Sequence, residues 1–253
     1  MGSNVVTEQP SNVEPSGKAL PWVADNDLLL AGHDATQVAA MEEALILVDD
    51  DDHQIGTASK RACHAGDGVR HRAFSVVLFN ERRLLLVQRR ASSKITFPGV
   101  WANSCCSHPL DNERERVAVG DLGVRRAAVR RLGHELGING SALTEESIRP
   151  VTRFEYVARM NEEWSEHELV HVLMVRGNFE LHPNRDEIDD IRWVSQEELD
   201  SMAAAEPLGE VVIAPWFELM RVHLLGTIWA YANGSEPRPD SQIHRFGEDG
   251  SVG

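Results

Sequence analysis

The order of apolar segments predicts an α/β fold, with one central mixed β-sheet and helices packed around it. Three observations carry this expectation. Strand-length runs rich in β-branched and aromatic residues recur between residues 44 and 194. Two other stretches keep a helical period instead. The 253-residue chain is 42% hydrophobic and 26% charged, a globular balance that excludes a largely disordered or collagen-like protein.

The strands are expected at ALILVDD (44–50), AFSVVLF (73–79), LLLVQRR (84–90), VTRFEYVA (151–158), ELVHVLMVRG (168–177) and IDDIRWV (188–194). Asn80-Glu81-Arg82-Arg83 is a hairpin-length link between the second and third. A helix is expected over 120–137, where Leu122, Val129, Leu132 and Leu136 share a face and Gly137 stops it. Another is expected after Pro215, carrying Phe217, Met220, Leu224 and Ile228. The polar composition of both ends divides the chain into three parts. Residues 1–41 are read as a partly flexible tail and lead-in, 42–231 as the folded domain, and 232–253 as a flexible tail.

Charge and cysteine content narrow the function classes. Basic residues number 25 against 40 acidic, a net charge of −15, and only Lys18, Lys60 and Lys94 are lysines. Such a chain repels phosphate backbones, so a nucleic-acid partner is not expected. Cys63, Cys105 and Cys106 cannot build a disulfide framework. With no export signal and no apolar run long enough to span a bilayer, a cytoplasmic protein without a membrane partner is expected, as a monomer or weak homo-oligomer.

Chemistry-bearing residues concentrate in three places. KITFPGVWANSCCSHPL (94–110) carries Cys106 and His108, and His64 and His71 flank a Gly- and Asp-rich turn ahead of a strand. Glu166 and Glu168 stand two apart entering a strand and so point to one face, which is costly beside an apolar run unless a cation is bound. Together His64, His71, His108, Glu166 and Glu168 make a candidate ligand set, suited to Mn²⁺ or Zn²⁺ better than to Ca²⁺.

From about residue 42 to 230 the chain resembles the type 1 isopentenyl diphosphate isomerases of the Nudix superfamily. The likeness rests on Lys60…His64…His71-Arg72-Ala73-Phe74-Ser75, Gln88-Arg89-Arg90…Lys94 and Phe97-Pro98-Gly99-Val100-Trp101. It continues through Asn103-Ser104-Cys105-Cys106-Ser107-His108-Pro109, Glu135-Leu136-Gly137, Tyr156, Glu166-His167-Glu168 and Pro215-Trp216. The resemblance implies a Nudix-like α/β/α sandwich and interconversion of isopentenyl and dimethylallyl diphosphate through a carbocation-like intermediate. It implies Glu168, adjusted by Tyr156, as the proton donor to C4 and Cys106, as thiolate, as the base at C2. Trp216 would face the developing cation, and Lys60, Arg90, Lys94 and Arg131 would hold the diphosphate. Glu135 would help hold Mg²⁺ against the phosphates, beside Mn²⁺ or Zn²⁺ in the His/Glu site.

The strongest rival is a Nudix hydrolase. Its box ends Arg-Glu-apolar-x-Glu-Glu-x-Gly-apolar, whereas Arg130-Arg131-Leu132-Gly133-His134-Glu135-Leu136-Gly137-Ile138 replaces two of three carboxylates by Arg131 and His134. A multi-metal hydrolytic cluster is hard to assemble from the one that remains.

Overall fold

The structure is a computed structural model that describes residues 29–206, 209, 211–235 and 240–246. One mixed sheet holds β1 (Ala44–Val48), β2 (Gln54–Ser59), β3 (His71–Phe79), β4 (Leu85–Arg90) and β5 (Trp101–Ala102). It continues with β6 (Cys105–Ser107), β7 (Arg149–Arg159), β8 (Ser165–Arg176), β9 (Ile188–Val194) and β10 (Ile243–Arg245). The helices are α1 (Ala35–Ala40), α2 (Lys60–His64), α3 (Leu122–Leu136), α4 (Gln196–Ala204), α5 (Pro215–His223) and α6 (Leu225–Ala232).

Every residue of β3 is buried, as a strand covered on both faces requires. Its pleat sorts the core into two layers. Ala73 and Val77 join Val170 and Val172 of β8 beneath Phe217 and Ile228 of α5 and α6. Phe74, Val76 and Leu78 join Leu173 and Val175 against Val124, Leu132 and Leu136 of α3. The result is an α/β/α sandwich.

β3 runs parallel to β8, from His71 opposite Glu168 to Phe79 opposite Arg176. Its other edge is shared. β3 meets β4 at Phe79↔Leu85 and β6 at Phe74↔Ser107 through Val76↔Cys105, while β4 pairs with β5 and β9. The sheet therefore parts beyond the β3–β4 turn, and the segment 91–107 fills the opening.

Several expectations need correction. Gly120 and Asp121 take φ of 60° and 55°, so α3 begins at Leu122, and its most deeply buried face runs through Val124, Ala127, Ala128, Arg131, Leu132 and Glu135. Polar Arg131 and Glu135 are buried here because they pair with each other, which apolar periodicity does not reveal. Gly137, at φ 66°, ends α3 as expected. The helix after Pro215 is broken at Leu224, giving α5 and α6, although Phe217, Met220, Leu224 and Ile228 are all buried. Within the span read as a C-terminal tail, β10 pairs parallel to β7 and Phe246 packs on Phe154. Their aromatic and hydrogen-bonding content is too short to stand out from polar surroundings. Residues 1–28, 236–239 and 247–253 of the expected tails lie outside the described residues.

A buried polar knot ties the layers together away from the cavity described below. His171 Nε2 is 2.7 Å from Asp52 Oδ2, and its Nδ1 is 3.4 Å from Asp121 Oδ1. Arg72 Nε donates to Asp52 Oδ1 at 2.7 Å. Burial alone would lower the His171 pKa, but Asp121 and Asp52 overcome it and raise it. Burial likewise opposes ionisation of Asp52, yet His171 and Arg72 bring its carboxyl from the ordinary 3.8 down to about 2.

The depressed Asp52 contributes stability above its unfolded value that is lost as pH falls toward about 2, and the raised His171 contributes below 6.5 and loses that as pH rises through its folded value. Asp52→Asn should lower the free energy of unfolding by about 3 kcal/mol, because it leaves His171 and Arg72 short of a partner. Urea unfolding at neutral pH measures it; a change within about 0.5 kcal/mol would show that the knot does not stabilise the fold.

Candidate active site

Three imidazoles and one carboxylate converge on the face of β3 and β8 that looks toward α5. His64 comes from the end of α2, His71 from the start of β3, His108 from the residue after β6, and Glu168 from β8. One ligand atom from each lies within 4.8 Å of all the others, and all four residues are buried. Their Nε2 atoms stand 3.8, 3.6 and 2.8 Å from Glu168 Oε1 for His64, His71 and His108.

Ring orientation is fixed from behind. His64 Nδ1 donates to the Lys60 carbonyl at 2.8 Å and His71 Nδ1 to the Val69 carbonyl at 2.7 Å. Each Nε2 is thereby left with a lone pair directed at its neighbours. Burial lowers the His64 pKa to about 4 and takes His108 well below its ordinary 6.5. Neutral rings are the form that binds a metal. His71 Nε2 is buried without a hydrogen-bond partner among the described residues, which a coordinated ion would satisfy. The donor set fits a divalent ion.

Glu166 lies beside this group, linked through a hydroxyl. Tyr156 Oη is 2.6 Å from Glu166 Oε2 and 2.9 Å from Glu168 Oε2. One hydroxyl hydrogen cannot serve both carboxylates, so the second contact calls for a proton on a glutamate. Burial, reinforced by the charge of Glu168, raises the Glu166 pKa, while the histidines overcome burial to hold Glu168 well below the carboxylate range. Of the two, Glu166 is the one whose surroundings favour the protonated form.

Cys106 occupies the opposite neighbour of β3, paired with Ser75, and lines the same cavity as Glu166 and Glu168. Its thiol donates to Asn103 Oδ1 at 2.9 Å, because the Asn103 amide NH₂ is committed to the carbonyls of Val76 and Cys105. Trp216 Nε1–H donates to Sγ at 3.2 Å. Burial pushes the Cys106 thiol up to about 12, against smaller opposing effects of Ser75 and Arg90. Burial thus favours the thiol over the thiolate that the family resemblance implies. Cys105 faces the α3 layer instead, fully buried.

The polar end of the cavity is cationic. Lys60, Arg90, Lys94 and Arg131 all line it, Arg131 reaching in from the α3 layer. Burial, then the charges of Lys94 and Arg131, lower the Lys60 pKa to about 8. Arg90 is pinned by the carbonyls of Phe97 and Thr96, at 2.9 and 2.7 Å, with its Cζ 5.5 Å from the centroid of Trp216. Glu135 accepts from Arg131 at 2.6 Å and from Gln88 at 3.3 Å.

Sequence reasoning gave no role to Glu187 and none to the Asn103 side chain. Asn103 stands in the quoted motif, three residues before Cys106, so its signal was present. Glu187 lies in no motif.

A NUDIX domain model matches residues 69–217. Isopentenyl-diphosphate Delta-isomerase 1 of Bos taurus is 42% identical over 90% of this chain and 100% of its own length. The chain belongs to the isopentenyl-diphosphate Delta-isomerase family. Isopentenyl-diphosphate delta-isomerase 2 of Homo sapiens is 40% identical, over 87% of this chain and 99% of that protein. The fold of this family member extends to the crystal structure of DR0079 from Deinococcus radiodurans, with a TM-score of 0.52, 22% identity and coverage of 72% of this chain and 99% of that one. Among its described residues no helix is long and apolar enough to cross a membrane.

After chelator stripping and dialysis against Mn²⁺ or Zn²⁺, the wild-type protein should retain metal by elemental analysis and His71→Ala at least about tenfold less. Equal retention by the two would show that the ion is held elsewhere.

Proposed function

We propose that the protein interconverts isopentenyl diphosphate and dimethylallyl diphosphate, adding a proton at C4 and removing one from C2. The observation that carries the reading is a single cavity with Cys106 on one side of β3, the Glu168–Tyr156–Glu166 group on the other, and four cations at its end.

Lys60, Arg90, Lys94 and Arg131 bind the diphosphate and so hold the five-carbon unit in the buried part of the cavity. Remote binding of this kind positions the reacting carbons and limits water. Trp216 presents its ring to the centre where positive charge develops; that ring already faces the Arg90 guanidinium, and a desolvated cation over an indole gains about 2 kcal/mol.

Cys106 and Glu168 are the acid and base pair. Asn103 and Trp216 fix the thiol, and Tyr156 connects Glu168 to Glu166. One of the pair gives the proton at C4 while the other takes the one at C2, the resemblance assigning the first role to Glu168 and the second to Cys106. In the return direction the two exchange roles.

His64, His71, His108 and Glu168, with Glu166 alongside, would hold Mn²⁺ or Zn²⁺, whose positive charge would favour the ionised form of the Glu168 carboxylate. Glu135 would help hold Mg²⁺ at the diphosphate, where its carboxylate and the buried Gln88 Oε1, without a hydrogen-bond partner among the described residues, would offer the hard oxygen donors that ion prefers. A hydrolase reading finds no support at the box, since Arg131 turns onto Glu135 in place of a second carboxylate.

Incubation of isopentenyl diphosphate with the protein and Mg²⁺ should yield the allylic isomer, followed by NMR. Release of phosphate or pyrophosphate without that isomer would replace the reading with hydrolysis. Cys106→Ala should lower kcat by about a thousandfold, while Cys105→Ala stays within about threefold. Equal losses would mean that the reacting thiol has been misplaced.

A further inference from the structure

Glu187 precedes β9 and is 7% exposed. Its backbone is fixed at both ends: the Ala91 amide donates to Glu187 O at 2.9 Å, and its own amide donates to Asn184 O at 3.0 Å. The carboxylate meets basic groups from two layers of the fold. Lys94 Nζ donates to Oε2, while Arg131 Nη2 is 3.3 Å and His134 Nε2 3.2 Å from Oε1.

This places a buried anion against two of the cations that line the cavity. Like charges crowded in a buried space repel, and each carries a desolvation cost that a nearby opposite charge offsets. Glu135 contacts Arg131 but not Lys94 in the bonds described above. Glu187 bridges the two. Arg131 turns Nε and Nη2 toward Glu135 and Nη2 toward Glu187, and Nη1 takes part in none of these contacts. The second bridging partner, His134, stands at the other box position that has lost its carboxylate.

We propose that Glu187 is a positioning residue for substrate capture: its carboxylate is the counter-ion that holds Lys94 and Arg131 side by side and aimed into the cavity, and diphosphate oxygens take over part of those contacts on binding. The inference rests on the reading of Lys94 and Arg131 as diphosphate anchors. Glu187 contacts neither Cys106 nor the Glu168–Tyr156–Glu166 group in the structure, so its effect falls on binding rather than on proton transfer.

Glu187→Gln keeps the size of the side chain and removes its charge. It should raise KM for isopentenyl diphosphate about tenfold with kcat within about threefold, and weaken calorimetric binding of inorganic pyrophosphate in parallel. Lys94→Met tests the reading beneath and should itself raise KM and weaken pyrophosphate binding. If it does neither, the anchor reading fails. If Glu187 acts through Lys94, the double variant should bind no more than about twofold worse than the weaker single one. An unchanged or lowered KM in Glu187→Gln, or fully multiplicative losses in the double variant, would overturn the role of Glu187. Circular dichroism checks the fold of each variant. Should Glu187→Gln not fold, Glu187→Asp keeps the charge but withdraws it by one methylene and should raise KM about threefold; an unchanged KM there would equally overturn the proposal.

Discussion

The register of β3 against β8 is the constraint on which the site depends. His71 lies directly across from Glu168, and the same ladder aligns Ala73 with Val170 and Ser75 with Val172. Side chains alternate along a strand, so a slip of one residue would turn Glu168, Glu166 and their apolar neighbours to the α3 face together. Burial on both faces leaves no cheap alternative register. The same strand carries Ser75 opposite Cys106 on its other edge. One buried strand thus sets the metal-ligand cluster and the thiol relative to each other.

The electrostatics follow from that burial. Burial favours the neutral form of His64 and His108, and the Nε2 atoms of all three imidazoles are set against one carboxylate. The cations at the other end survive because Glu135 and Glu187 lie among them. The parted sheet makes this possible: with β3 and β4 diverging beyond Phe79 and Leu85, Arg131 of α3 lines a cavity otherwise built on the opposite layer. An acidic chain with few lysines concentrates two of them, Lys60 and Lys94, at one cavity.

Much of this was legible in the sequence where period and burial coincide. Ile188–Val194 occupies its expected span, and β3 and β8 begin a few residues earlier than theirs, because runs rich in β-branched apolar residues mark strands buried in a sheet. QIGTAS of β2 carries little apolar signal, yet hydrogen bonds to β1 define it as a strand. The Ser195–Glu198 capping box is a local sequence signal for the start of α4. At the site, the motif residues His64, His71, His108 and Glu168 could be named, but their convergence depends on long-range pairing that spacing does not encode. Glu187 was invisible for a related reason: its partners Lys94 and Arg131 are far away in sequence, and a single acidic residue before a strand has no distinguishing pattern.

Two groups bordering one cavity, one giving and one taking a proton, predict exchange with solvent at defined carbons. The direct test is the reaction of isopentenyl diphosphate in deuterated water, read by NMR of the product. The account predicts dimethylallyl diphosphate with deuterium in the methyl group formed from C4 and loss of hydrogen from C2. Allylic product that carries no deuterium, or no allylic product at all, would contradict it.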